Sequence, residues 1–588
     1  MNHLNVRVAW HDSNWDGTIC RNPCANSFCV DLDRIREEKN DQLEDSLAGS
    51  NFSILTSDQH PPCKAESGAF MNSLPWVREF NHPYQSIKKT QETHGQLQPT
   101  LVKVEPYTTF VVPFLWMSRE RQQAIDDSLP NALPPDLDPP FPSAWVFAKE
   151  RQEALCKLFF ERITVESSLV FFYTKAGQPV GESIARLVVG VGTIQKISGL
   201  LRYDSTTSET YPLWDRKITH SIRPDGDGGF LLPYQEYLAS TGDASEDARR
   251  RELLKEIAVI PESSQIAAFS FAGELSSSDV ALSTLVKCLQ SVQKIRAHGI
   301  ATGPWEKREE WLNAKIAMTW KERGAFPGVG SALEALGMRL GTSLILQLFG
   351  QDLIKPSDDP WPFLDGLLRN GAATLPQYTA DIKTVSPIWK GLTEERRSLL
   401  RLLSRFDLTV NQALRWFDPT KRQRATRSLV SDLAIIENPY RLAETDLGDF
   451  EDRPVSLGVI DRGVMPDSTI RTNHPLQAPS AVDSPRDIRR LRAAFVSVLR
   501  QAAANGDALL SMSEASIALS KLDLSEPCIA PADWHSSSPQ FIAEEIARID
   551  IPKDHAETGT ISALQLVELQ FREKKLSSIL SARSAAPI

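Results

Sequence analysis

The chain has 588 residues, 41% hydrophobic and 24% charged, which is too long for one core and ordinary for a globular protein facing water. Its net charge of −10 excludes a surface coated in basic residues but leaves room for a local basic stripe. No apolar run approaches the roughly 18 residues of a membrane span, and the first residues lack the apolar core and cleavage site of a signal peptide, so a cytoplasmic location without a membrane partner is expected.

Val6 to Trp10 reads as a short strand. Four of the seven cysteines then fall within the first 63 residues. Cys20, Cys24, Cys29 and Cys63 are separated by the turn signals Asn22-Pro23 and Pro61-Pro62. Small loops let several sulfurs converge on one point. A tetrahedral zinc site could use Cys20, Cys29 and Cys63, with Cys24 or His11 as the fourth ligand. Four thiolates could equally hold an iron–sulfur cluster. The alternative is a set of unliganded thiols. Pro130 to Pro142 carries six prolines in thirteen residues and reads as a stiff connector.

Ser168–Tyr173 and Leu187–Ile194 are the clearest strands, with Leu200–Tyr203 and Tyr211–Trp214 as further candidates. Gly190 and Gly192 within one strand predict a bulge or a close backbone approach. The region reads as a small barrel or curved sheet and resembles PUA-type barrels, which bind nucleotides or RNA. Trp214 to Tyr234 mixes aromatics with Arg216, Lys217, His220 and Arg223, a combination able to stack on bases and bind phosphates. From about Ala244 onward the pattern is helical, with apolar spacing of three and four over Ala248–Val259 and Leu282–His298.

Trp305–Arg323 is a predicted helix, followed by Gly324-Ala325-Phe326-Pro327-Gly328-Val329-Gly330 and another helix. This resembles a helix–hairpin–helix, in which Gly328, Val329 and Gly330 would bring backbone N–H groups to a phosphate. Arg396 to Arg427 holds nine basic and two acidic residues. Arg397, Arg401 and Arg405, at i, i+4 and i+8, predict one charged helical face; Arg415 and Arg422 add to the DNA-binding candidates. Thr409 is placed to cap the next helix.

Asn438-Pro439-Tyr440-Arg441-Leu442-Ala443-Glu444 follows, then a helix from about Asp487 to Ala504, the turn Asn505-Gly506, and Leu509-Leu510. This order resembles the region preceding the motor in RecD-like DNA helicases, the exonuclease V alpha-subunit type. The resemblance covers roughly residues 320 to 515, and more loosely the first 240. The family's I-G-F-K-T-A hairpin is replaced by Val455-Ser456-Leu457-Gly458-Val459-Ile460-Asp461-Arg462, and no G-x-x-x-x-G-K-[ST] loop occurs. Neither G-x-S-x-G nor H-E-x-x-H is present.

The fold expected is α+β and multidomain: a Cys-rich domain at 1–142, a β-barrel-like module at 143–240, a helical bundle at 241–320, a helix–hairpin–helix-like region at 321–440, a pre-motor region with winged-helix-like elements at 441–515, and a helical tail at 516–588. The resemblance implies a DNA-binding accessory subunit that works with a separate RecD-like helicase or other ATPase subunit in bacterial DNA repair or anti-phage defence. The alternatives are a metal-dependent nuclease or nucleotide-processing enzyme, and a nucleotide- or RNA-sensing module built on the barrel.

Overall fold

The computed structural model describes residues 2–8, 18–25, 40–51, 54–64, 69–174, 186–370, 375–426, 429–450, 452–531, 533–552 and 560–584. The chain divides into two compact units, Met1–Glu322 and Arg323–Ile588.

The first unit contains, in chain order, β1 (His3–Arg7), β2 (Trp76–Phe80), β3 (Thr100–Val104), β4 (Thr108–Val111), α1 (Lys149–Phe160), β5 (Leu169–Thr174), β6 (Leu187–Ile197), β7 (Arg216–His220), β8 (Gly229–Leu231), β9 (Gly273–Ser276), α2 (Ser278–His298) and α3 (Trp305–Arg323). Seven strands form one sheet in the order β9-β1-β5-β6-β7-β4, with β8 pairing β6. β1 runs parallel to β5, with Leu4 opposite Val170, and antiparallel to β9, with Asn5 opposite Glu274. Strands from the segments 1–142 and 143–240 therefore share one sheet, and the β-rich stretch is not a module by itself. All six residues of β5 are buried, as expected of a central strand covered on both faces.

The sheet curls into a half-barrel. Its two edge strands approach at Gly273, where a Cβ would lie 2.5 Å from Val111 Cγ1 and 3.3 Å from the Val112 carbonyl oxygen. Gly190 and Gly192 likewise mark close approach: a Cβ on either would meet Leu231 or Ile222 below 3.0 Å. α2 starts on Ser277, whose Oγ accepts from the Val280 N–H at 3.4 Å, and stops at Gly299 in the left-handed region with φ 64°. The proline-rich stretch is tied down: Asp136 Oδ1 accepts the N–H groups of Phe147 and Ala148, each at 2.9 Å.

The second unit is mostly helical. It includes α4 (Val329–Ala335), α5 (Glu394–Leu403), α6 (Val410–Phe417), α7 (Ile488–Ala504), β10 (Leu510–Ser511), β11 (Ile546–Pro552), β12 (Thr560–Leu566) and α8 (Val567–Ser584). Its small sheet has the order β10-β12-β11. Thr409 caps α6 as its position predicts, in a reciprocal box with Gln412. The Asn438–Glu444 stretch is packed in the core: Tyr440 and Leu442 are fully buried.

Candidate functional sites

The helical unit carries the residues expected to grip DNA. Gly328 faces protein rather than solvent. A Cβ there would lie 1.9 Å from the Phe406 carbonyl oxygen, and its N–H donates to the Ser404 carbonyl at 3.0 Å. Val329 is buried, and Gly330 packs against Thr342, whose Cα would be 2.7 Å from an added Cβ. The tight hairpin thus seats one part of the unit against the end of α5.

α5 ends at Leu403, so the i+8 member of the arginine stripe leaves the helical face. Arg405 turns inward and donates to the carbonyls of Gly463 (3.2 Å) and His474 (2.9 Å). Burial lowers its pKa to about 10. Arg415 is buried against Asp446 at 2.8 Å and Asp449 at 3.1 Å. Arg422 is buried against Asp432 at 2.7 Å. Arg397 lies over the Trp389 ring at 5.6 Å and donates to the Trp389 and Lys390 carbonyls. Arg401, 41% exposed, pairs with Glu394. These residues do not converge on one surface: Arg405, Arg415 and Arg422 are structural cations of the interior, and Arg401 is the most exposed of the five.

Of the thiols weighed as metal ligands, Cys20 and Cys63 are buried. Cys24 is exposed and its Sγ donates to the Asp45 carboxylate at 2.9 Å. Cys29 and His11 lie outside the described residues. Among the described residues no three metal-binding side chains converge. Buried Cys156 and Cys288, further along the chain, are pushed up to about 12 by desolvation, which keeps those thiols protonated and unreactive.

A cavity of about 470 Å³ lies in the first unit, within the size range of small-molecule sites. β1 and the start of β9 supply Arg7 and Ala272; β4 and its continuation supply Phe110, Val112 and Phe114. The cavity therefore sits along the seam where the curled sheet's edges meet. β2 adds Arg78 and Phe80, and α1 adds Gln152. Tyr203 and Trp214 come from two segments held together by backbone bonds, Tyr203 N–H to the Tyr211 carbonyl and Leu213 N–H to the Leu201 carbonyl, each 2.9 Å.

One wall is a cluster of rings. Phe114 and Trp145 centroids are 5.7 Å apart, and Trp145 and Trp214 are 6.2 Å apart. Trp214 is fixed by its Nε1–H, which donates to Gln152 Oε1 at 3.0 Å; Gln152 in turn donates to the Val146 carbonyl at 3.0 Å. The Arg78 guanidinium lies 4.2 Å from the Phe80 centroid and 4.7 Å from that of Phe110. Asp215 faces it at 3.9 Å, beyond hydrogen-bond distance. His82 lines the cavity, and His94 packs on it with centroids 4.6 Å apart. Desolvation lowers them to about 3 and about 4, so both are neutral at pH 7.

The charged lining groups are Arg7, Arg78 and Asp215, an excess of one positive charge. Aromatic walls with that balance, their rings inclined to one another by 54°, 62° and 88°, disfavour a cation and suit an aromatic ligand carrying negative charge. The Trp214 loop was the one part of this site marked in the sequence, by its mixture of rings and basic residues. Of that loop's other candidates, His220 is buried with Nε2 2.8 Å from the Phe70 carbonyl, and Arg223 lies 3.9 Å over Tyr107. Compared with family models, with curated proteins and with solved structures, the chain matches none.

Proposed function

We propose that the protein is a nucleotide-binding module, taking a planar, anionic ligand of the nucleotide class in the cavity of its first unit. The observation that carries this reading is that the ring cluster of Phe114, Trp145 and Trp214 and the arginines Arg7 and Arg78 line one cavity. Stacking of a base on such rings contributes about 1–3 kcal/mol, and an arginine provides the counter-charge for a phosphate. The buried histidines and thiols described above are shifted away from reactivity at neutral pH, which favours binding over catalysis. The test is quenching of tryptophan fluorescence by nucleoside monophosphates. Saturable quenching is expected, and Phe114→Ala, a partly exposed ring, should weaken it by roughly ten-fold. Absence of binding at millimolar ligand would reject the reading.

A second reading, the accessory subunit for a RecD-like helicase, is supported by α8, which exposes Phe571, Leu576 and Leu580 and offers a docking surface for another subunit. Its DNA contacts would fall to Arg401, Lys421 and Arg424, which reach solvent. Changing all three to glutamate should flatten the salt dependence of DNA affinity by roughly one unit of slope per lost phosphate contact. An unchanged slope would remove this reading.

A further inference from the structure

We infer that His82 is a specificity-determining residue of the cavity, donating a hydrogen bond from its Nε2–H to an acceptor on the base or the phosphate of the ligand. This rests on the nucleotide reading and adds to it the side chain that orients the nucleotide. His82 is 8% exposed and lines the cavity. Its ring is set by the turn that contains it. Pro83 restricts the backbone, and Gln85 N–H donates to the His82 carbonyl at 3.1 Å. Tyr84 N–H donates to His82 Nδ1, also at 3.1 Å. A ring nitrogen that accepts carries a lone pair, so the neutral imidazole bears its proton on Nε2.

Four rings pack around His82: those of His94, Tyr203, Tyr84 and Tyr211, with centroids 4.6, 4.7, 5.5 and 5.6 Å away. The polar atoms nearest in the chain are engaged elsewhere, since the Tyr84 hydroxyl bonds Ser143 and His94 Nδ1 bonds Thr93. Among the described residues no group accepts from His82 Nε2, and that nitrogen is not sealed from solvent. An N–H so deep in the protein is unfavourable without an acceptor. The ring lines the cavity, so an acceptor on the ligand can meet it there. Desolvation keeps the imidazole neutral at pH 7, and a neutral donor bonds an uncharged carbonyl as readily as it bonds a phosphate oxygen. The ring cluster of Phe114, Trp145 and Trp214 is indifferent to the base, because every base has a face to stack. A fixed donor beside it gives the cavity a directional contact that stacking lacks.

The experiment titrates the intact protein with UMP, AMP and uridine by calorimetry, as wild type and as His82→Phe, which keeps a ring and removes the donor. The variant is expected to bind UMP roughly five-fold more weakly, the effect of one hydrogen bond. Weakening confined to UMP and uridine places the acceptor on the base. Weakening confined to UMP and AMP places it on the phosphate. If all three weaken alike, His82 acts through ring packing and the assignment is wrong; if none weakens, it is wrong as well. A second measurement does not depend on how the variant folds. Nitrogen NMR of the histidine-labelled wild type reports the tautomer, and His82 is expected in the Nε2–H form, with UMP shifting the Nε2 signal more than the Nδ1 signal. An Nδ1–H form, or a His82 Nε2 signal unmoved by bound UMP, would overturn the inference and leave the nucleotide reading standing. If none of the three probes binds the wild-type protein at millimolar concentration, both are wrong.

Discussion

Asp461 has no contact with solvent, yet it accepts from Tyr440 Oη at 2.8 Å and from Arg490 Nε and Nη2 at 2.7 and 3.0 Å. Such a pair stabilises little beyond an apolar substitute, but removing one partner strands the other's charge. Arg490→Met is expected to cost about 3–5 kcal/mol in chemical denaturation. Arg490→Met with Asp461→Leu should recover most of that loss, and a single variant costing under about 1 kcal/mol would contradict the account. Glu274 is the opposite case. Desolvation raises it to about 7, and its Oε1 is buried without a hydrogen-bond partner. A folded-state value above the unfolded one means that its contribution is fully present below about 4.5 and is lost as pH rises through about 7. Glu274→Gln mimics the protonated acid. The variant should match wild type near pH 5 and exceed it at pH 8 by on the order of 1–3 kcal/mol, measured by urea unfolding at both pH values. The acids that neutralise the arginines were hidden in the sequence by distance along the chain. Asp461 lies 29 residues from Arg490, and Glu444 lies 48 from Arg492. An i, i+4 spacing states which arginines share a face and is silent on what covers it.

At the scale of elements, helices were the most legible. The period of three and four over Leu282–His298 located α2 but not its first turn, which begins at Ser278; Thr409 located α6. Local signals sufficed because caps and faces lie within a few residues of each other. The hairpin before α4 was legible as a tight turn but not in its purpose. The same glycines that allow a backbone to approach a phosphate allow it to approach a carbonyl, and here Gly328 meets Phe406. Gly328→Ala should therefore destabilise the second unit by roughly 2–4 kcal/mol, an overpacking cost. Hydrogen exchange of the amides around α4 and α5 would show it. An alanine variant as stable as wild type would mean that this packing is not required. The cavity was the least legible feature. It is assembled from six stretches from Arg7 to Ala272, and pairing over such separations leaves no local pattern.

For the molecule as a whole, protons act unevenly. His3, His82 and His220 are each lowered to about 3, and His94 to about 4, by desolvation. All four belong to the first unit. Their folded values lie below the ordinary histidine value of 6.5, so their contribution is present above about 6.5 and is lost as pH falls toward 4 and 3. The first unit should thus loosen in mild acid ahead of the second. Exchange protection of β5 amides is expected to fall between pH 6 and 4 while that of α7 persists. Simultaneous loss in both would contradict this.

The tail helix α8 has one further consequence. Leu569 packs on the second unit's core, and every residue from Phe571 to Ser581 is exposed. A helix with no tertiary support over three turns is marginal in water and frays. Arg572, Lys574 and Lys575 sit in that stretch, so trypsin in limiting amount should nick the chain there first. Binding of another subunit to α8 would shield those bonds, and the digestion rate then becomes a direct gauge of occupancy.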